Sequence, residues 1–256
     1  MRINKYIAQS SDLSRRAADA AIAQGRVLVN DTLATPGTIV SPVDEVKLDN
    51  IVLTPTETLI TIMFNKPVGY VCSHNGQGSK TIYDILPKEL HHLHPVGRLD
   101  KDSSGLLLLT NDGQLAQQLT HPKYQKTKVY EVTLNKPLQP LQQQLISDYG
   151  ITLEDGRSQF LVTRLERSAQ RDHERKASGG MEAVHERSDK NTSRGVSPSS
   201  THNASNTSYL VTMTEGRNRQ IRRTFAALGF TVTALHRTHF GAYQLADLAS
   251  GHHIVI

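Results

Sequence analysis

Pro95-Val-Gly-Arg-Leu-Asp-Lys-Asp-Ser-Ser-Gly-Leu-Leu-Leu-Leu-Thr-Asn-Asp-Gly113 is the stretch around which the chain is organised. Gly97 predicts a tight turn that delivers Arg98 and Asp100. A polar Ser103-Ser104-Gly105 corner follows. Leu106 to Leu109 is then an apolar run of the length expected for a strand buried on both faces. A charged pair on a loop braced by a buried strand is a common way to build an active site, because the strand fixes what the loop presents. The same residues also fit a solvated turn that carries charges, and spacing alone does not separate the two.

Downstream, Asp112 is placed to cap a short helix from Gly113 to Leu119, which His121-Pro122 ends. Lys126 to Leu134 alternates as a strand with Tyr130, Val132 and Leu134 on one face. Pro137 and Pro140 lead into a helix reaching Tyr149, and Phe160 to Leu165 alternates again. From Arg167 to Thr207 the sequence has no Leu, Ile, Phe, Tyr or Trp. Such a segment cannot bury enough apolar surface to offset its ordering entropy, so a disordered insertion is expected there. Tyr209 to Met213 resumes as a strand, which makes the insertion an overgrown hairpin loop. Lengthening a turn of about four residues to about forty costs only about 2 kcal/mol of closure entropy. In the block Glu215 to Gly229, Ile221, Phe225 and Leu228 form an apolar helical face and Arg219, Arg222 and Arg223 a basic one, with Gly229 as the stop. Phe230 to Leu235 is a closing strand.

Upstream, residues 1–50 read as a small separate unit. Arg2 to Ser10 and Ser14 to Gln24 each suit a helix, the second capped by Ser14 and followed by Gly25. Ala17, Ala18, Ala21 and Ile22 give that helix an apolar stripe. Val27 with Val29 and Val46 with Leu48 suit short strands, with Asn30-Asp31 as a turn. Arg15 and Arg16 occupy the first helical turn, where the dipole disfavours cations, so contact with phosphate is a candidate reason for their presence. Residues 51–59 read as a linker. Residues 60–256 then form the larger domain, opening with a strand from Ile60 to Phe64 that runs into Lys66-Pro67-Val68-Gly69.

Composition bounds the partners. The formal charge is +5, and it is localised. Residues 1–59 hold six Lys/Arg against seven Asp/Glu, whereas residues 209–256 hold five Arg against two acids, four of the five between Arg217 and Arg223. A local basic surface suits a polyanion. The single Cys72 excludes a disulfide framework. His91, His92 and His94 have no carboxylate or Cys at a ligand spacing, so no metal site is expected. No apolar run of about 18 residues is present, and a soluble, cytoplasmic monomer is expected.

Gly97-Arg98-Leu99-Asp100 followed by Ser-Gly-Leu-Leu-Leu-Leu-Thr-Asn-Asp-Gly resembles the catalytic-aspartate segment of the ribosomal RNA pseudouridine synthases. Lys66-Pro-x-Gly, the strand bearing Tyr130 and the block containing Arg222 resemble further segments of that family in the same order. Ser14-Arg-Arg-Ala-Ala with Gly25-Arg-Val-x-Val-Asn is similar to a small RNA-binding module shared by a small-subunit ribosomal protein and several RNA-modifying enzymes. The resemblance implies an α+β protein, a helix-and-strand module followed by a mainly antiparallel catalytic sheet flanked by helices. It implies isomerisation of a uridine in ribosomal RNA, with no metal and no cofactor. Asp100 would be the catalytic carboxylate, Tyr130 would stack on the uracil, and Arg222 would pair with Asp100. Arg98 would fill the space left by the flipped base or bind a phosphate. Arg15, Arg16, Arg217, Arg219 and Arg223 would hold the RNA backbone. The block Asn218 to Arg223 looks more like the large-subunit enzymes.

Two other readings compete. Asp100-Lys-Asp102-Ser mimics the Asp-x-Asp of magnesium-dependent phosphatases, but that chemistry wants its apolar strand before the first aspartate, and here the strand follows. A non-catalytic RNA-binding assembly factor would suit the charge pattern, but it has no need of Asp100, Tyr130 and Arg222 together.

Overall fold

The structure, a computed structural model, describes residues 1–11, 13–54, 58–165 and 207–256. Its helices are α1 (Ile3–Ser10), α2 (Arg15–Ala23), α3 (Gly113–Thr120), α4 (Pro140–Gln144) and α5 (Gln220–Ala227). Its strands are β1 (Val27–Val29), β2 (Thr32–Leu33), β3 (Val46–Leu48), β4 (Ile51–Val52), β5 (Thr61–Lys66), β6 (His94–Pro95), β7 (Ser104–Thr110), β8 (Lys128–Leu134), β9 (Ile151–Leu153), β10 (Gly156–Ser158), β11 (Leu161–Arg164), β12 (Ser208–Met213), β13 (Val232–Phe240), β14 (Tyr243–Gln244) and β15 (His253–Val255). The chain divides into two compact units, residues 1–124 with 245–256, and residues 125–244. Every ladder described below is antiparallel, as expected of the α+β class. Among the described residues no helix is long and apolar enough to cross a membrane.

In the first unit, α1 and α2 cover a small sheet of order β2-β1-β3-β4. Ser14 caps α2 by accepting from the Ala17 N–H at 3.1 Å, a contact worth about 1 kcal/mol. The expected apolar stripe turns inward: Ala18, Ala21 and Ile22 join Ile3, Ile7, Val27 and Val46 in one buried cluster. Asn30 and Asp31 take positive φ values of 50° and 64°, the conformation a two-residue hairpin turn demands. The larger sheet of this unit has β7 paired with β5, Leu107 opposite Phe64, and β15 returning from the C-terminus to pair with β5, His253 opposite Phe64. Leu106 to Leu109 are all fully buried, as a run without alternation predicts. Asp112 caps α3 through the N–H groups of Gln114 and Leu115.

In the second unit, β8 lies between β12 and β13, with Val211 opposite Tyr130 on one side and Arg237 opposite it on the other. Tyr130, Val132 and Leu134 are buried and the intervening residues half-buried, which matches the alternation in the sequence. The strand expected over Phe230 to Leu235 runs from Val232 to Phe240. The expected insertion lies outside the described residues except for Thr207, whose carbonyl accepts from Leu134 N–H. The strands flanking it do pair: β11 meets β12 with Arg164 opposite Tyr209. Helix α4 passes into a π turn, Leu145–Tyr149. That turn ends at Gly150, where φ is +72° and a Cβ would stand 2.8 Å from the Ser158 carbonyl, so only glycine fits.

Candidate functional site

The Asp100 loop belongs to the first unit and is held at almost every residue. Gly97 takes a φ of +73°, which lets the chain turn out of Val96, whose N–H donates to Leu108 O at 2.8 Å. The buried Leu99 side chain anchors the loop, and its N–H points to Cys72 Sγ at 3.4 Å. Gly69 N–H donates to Lys101 O at 2.7 Å, so the Lys-Pro-x-Gly turn is bonded to the residue after the aspartate. Beneath the loop lies Lys66, which is fully buried. Its ammonium donates to the carbonyls of Pro67 at 2.9 Å, Ser103 at 2.8 Å and Asp100 at 3.2 Å. Burial pushes the Lys66 pKa down, while the charges of Cys72, Asp100 and Asp102 push it up. The three carbonyls satisfy all three donors of the ammonium, which is what makes its burial tolerable. The result is a loop with little freedom that leaves Arg98 exposed and Asp100 half-buried.

Tyr130 lies in the second unit with a strongly cationic setting. Arg237, opposite Tyr130 across the β8–β13 ladder, is almost wholly buried, and its guanidinium lies 4.8 Å from the centre of the Phe240 ring. Lys128, two residues before Tyr130 and so on the same strand face, sits 5.5 Å from that ring. Burial and the neighbouring Arg237 lower the Lys128 pKa, against the attraction of Glu215. Tyr130 itself is buried, and the Lys128 ammonium donates to the carbonyls of Lys126, Thr214 and Glu215.

Helix α5 begins later than the sequence pattern suggests. Arg219 is not on its basic face but is the N-cap, in the left-handed conformation at φ 46°. The reason is Gln220, whose buried side chain turns back: its Oε1 accepts from Arg217 N–H at 3.0 Å and its Nε2 donates to Ser158 Oγ at 3.1 Å. Thr224, one turn on, donates to the same Ser158 Oγ at 2.7 Å. This buried polar network ties the start of α5 to β10. Ile221 and Phe225 are buried as expected, whereas Leu228 is only half-buried. Arg222 is half-buried and donates to Val232 O at 2.9 Å.

The other arginines of this block gather on the β9–β10 turn. Arg223 forms a two-bond fork with Asp155, at 3.1 and 2.6 Å. Arg217 reaches the same carboxylate at 3.1 Å, and also donates to the carbonyls of Asp155 at 2.9 Å and Arg157 at 2.7 Å. The hydrogen bonds from Arg223, and then the charges of Arg217 and Arg223, hold the Asp155 carboxyl below the usual carboxylate range.

Of the residues singled out in the sequence, Arg98 and Asp100 thus fall in the first unit, and Tyr130, Arg217, Arg219, Arg222 and Arg223 in the second. Arg15 and Arg16 are exposed at the start of α2, Arg15 within 3.4 Å of Asn4 Oδ1. His91 and His94 belong to a ring cluster: His74 stacks on Tyr83 with centroids 3.8 Å apart, and His91 and His94 meet those two rings edge-on. Arg237 and Asp155 were missed by sequence reasoning, which had Lys66 only as part of a turn resembling a family segment and not as a buried ammonium. For Lys66 a signal existed, since a lysine closing the apolar run of β5 must bury its ammonium or leave the strand.

Comparison with known proteins places the chain in a family. Residues 60–227 match the RNA pseudouridylate synthase family, and residues 1–46 match the S4 domain. The chain is 32% identical to ribosomal small subunit pseudouridine synthase A of Haemophilus influenzae, over 96% of this chain and 91% of the relative. It is 31% identical to ribosomal large subunit pseudouridine synthase B of Bacillus subtilis, over 98% of this chain and 89% of the relative. A crystal structure of a pseudouridylate synthase superposes with a TM-score of 0.62 at 29% identity, covering 100% of this chain and 96% of the other. The chain therefore belongs to the RNA pseudouridylate synthase family, with an S4 domain preceding the synthase region.

Proposed function

We propose that this protein isomerises a uridine of ribosomal RNA to pseudouridine, with Asp100 as the catalytic carboxylate. Relatives of similar identity are named for the small and the large ribosomal subunit, which supports ribosomal RNA as the substrate class. The block Asn218 to Arg223 favours the large subunit. The observation that carries the assignment of Asp100 is the buried Lys66 ammonium bonded to the Asp100 and Ser103 carbonyls, which makes a loop stiff enough to aim a carboxylate. In the reaction the N1–C1′ bond breaks, the uracil rotates, and C5 bonds to C1′ while the C5 proton is lost and N1 gains one. The Asp100 carboxylate serves attack at the sugar or at the uracil ring. Tyr130 stacks on the uracil, Arg222 pairs with Asp100, and Arg98 takes the space left by the flipped base. Arg15, Arg16, Arg217, Arg219 and Arg223 carry the phosphate contacts, and their binding weakens as salt rises.

Tritium release from C5-labelled uridine RNA, without added metal, tests the activity. Asp100→Asn should reduce it to less than about a hundredth while RNA affinity and the thermal midpoint stay near wild type. Residual activity above that level sinks the assignment, and binding without any release returns the chain to the RNA-binding reading. Mapping pseudouridines in both ribosomal RNAs of a deletion strain identifies the subunit.

A further inference from the structure

Asp155 is the unexplained member of the basic block. It stands on the turn between β9 and β10, with a side chain 40% exposed, yet two arginines from the far side of the sequence converge on it. The Arg223 fork engages both of its carboxylate oxygens. A carboxylate and a phosphodiester offer a guanidinium the same pair of acceptor oxygens, so a site built for one accepts the other. Arg217 differs from Arg223, because its bonds to the Asp155 and Arg157 carbonyls do not need the carboxylate. Its guanidinium therefore stays in place if the Asp155 side chain leaves. Gly156, at φ +109°, lets the turn close beneath it, a conformation that side chains rarely adopt. The α5 end of the fork is equally fixed, since Gln220 and Thr224 are bonded to Ser158 at the end of β10.

Resting on the RNA-modifying reading above, we propose that Asp155 is a placeholder for a backbone phosphate of the RNA substrate, which Arg223 takes in its stead when RNA binds. Arg217, held on the turn carbonyls, supplies the second cation beside that phosphate. Exchange suits the geometry better than a permanent ion pair. The Asp155 carboxylate is 40% exposed, so water takes over its oxygens when it leaves, while each neutralised phosphate releases condensed counterions. The carboxylate meanwhile keeps two neighbouring guanidiniums from repelling one another in the free protein and weakens contact with RNA that does not reach the turn.

The sign of one substitution decides the matter. Dissociation constants for a ribosomal RNA fragment are measured across a salt series for wild type, Asp155→Asn, Arg223→Ala and the double variant, with thermal midpoints to verify folding. Asp155→Asn should bind about two- to fivefold tighter at low salt, the factor expected for removing an exposed competing pair. That gain should vanish when Arg223 is absent. Glu154→Gln controls for charge without the fork: it removes the same charge from the same turn, where Glu154 acts on Arg223 through its field but makes no ion pair with either arginine among the described residues. Weaker or unchanged binding by Asp155→Asn overturns the proposal, as does a gain that survives loss of Arg223 or is matched by Glu154→Gln. Pseudouridine formation by the wild type on the same RNA is scored separately, so failure of the functional reading is distinguishable from failure of the exchange.

Discussion

Replacing Lys66 by Met keeps the volume of the side chain but removes the ammonium from beneath the Asp100 loop. The carbonyls of Pro67 and Ser103 then lose this donor, while that of Asp100 keeps the Ser103 N–H at 3.1 Å. At about 1–3 kcal/mol for each of the two acceptors left unsatisfied, the gross loss is about 2–6 kcal/mol. Against this, the variant no longer pays the desolvation cost of a buried cation, several kcal/mol and visible in the depressed pKa of Lys66. The net expectation is a loss of about 1–3 kcal/mol, or about 2–12 °C in thermal midpoint for a chain of this size. Activity should fall further than stability explains, because a loop freed at Asp100 and Ser103 no longer aims the carboxylate. A misplacement of about 1 Å can cost about a hundredfold. Calorimetry gives the midpoint, and single-turnover tritium release at a temperature where the variant is fully folded gives the chemical step. A folded Lys66→Met variant with the wild-type single-turnover rate refutes the argument that this lysine stiffens the catalytic loop. A midpoint within about 1 °C of wild type refutes the energetic estimate.

Arg222→Ala should lower the chemical rate with little effect on RNA affinity, whereas Arg223→Ala should weaken binding and flatten its salt dependence; dissociation constants and single-turnover rates compared side by side detect a reversal. Joining Leu165 to Thr207 by a short turn in place of residues 166–206 should leave the thermal midpoint unchanged or slightly higher, since β11 and β12 pair up to Arg164 and Tyr209 without them; a large loss of RNA affinity at an unchanged midpoint would make those residues a binding arm. His74 and His94 stay exposed, yet partial desolvation in their ring cluster, with the charges of neighbouring histidines, lowers their pKa values below the ordinary 6.5. The unfolded chain then takes up protons that the folded one resists, so stability is complete above about pH 6.5 and declines as pH falls below it. Thermal midpoints between about pH 7.5 and pH 5 should show that decline, and His74→Gln should lessen it.

Much of the fold was legible because it is written in local rules. A four-leucine run without alternation means burial on both faces, and Leu106 to Leu109 are so buried. Alternation placed Tyr130, Val132 and Leu134 on the covered face of β8. Ser14 and Asp112 announced their helices because a short polar side chain can meet the free N–H groups of a first turn, a contact that needs nothing distant. The segment containing Asp100 could be singled out, since a turn glycine, two charges and a buried strand lie within one short stretch.

What the chain could not announce is the company its charged groups keep. The start of α5 was misjudged because helical periodicity treats Arg219, Arg222 and Arg223 alike, while the side chain of Gln220, bonded to Ser158 from a different hairpin, fixes Arg219 outside the helix. Arg217 and Arg223 looked like free cations, and only the folded chain brings Asp155 between them. Arg237 reads as one more surface arginine until β13 sets it against Tyr130 in the buried face of the sheet. Lys66 reads as part of a turn until its ammonium is found among three carbonyls, one of them from Asp100. Apolar pattern depends on period and is carried by neighbours in sequence. Burial of a charge depends on which acceptors converge on it, and those come from wherever the tertiary structure brings them.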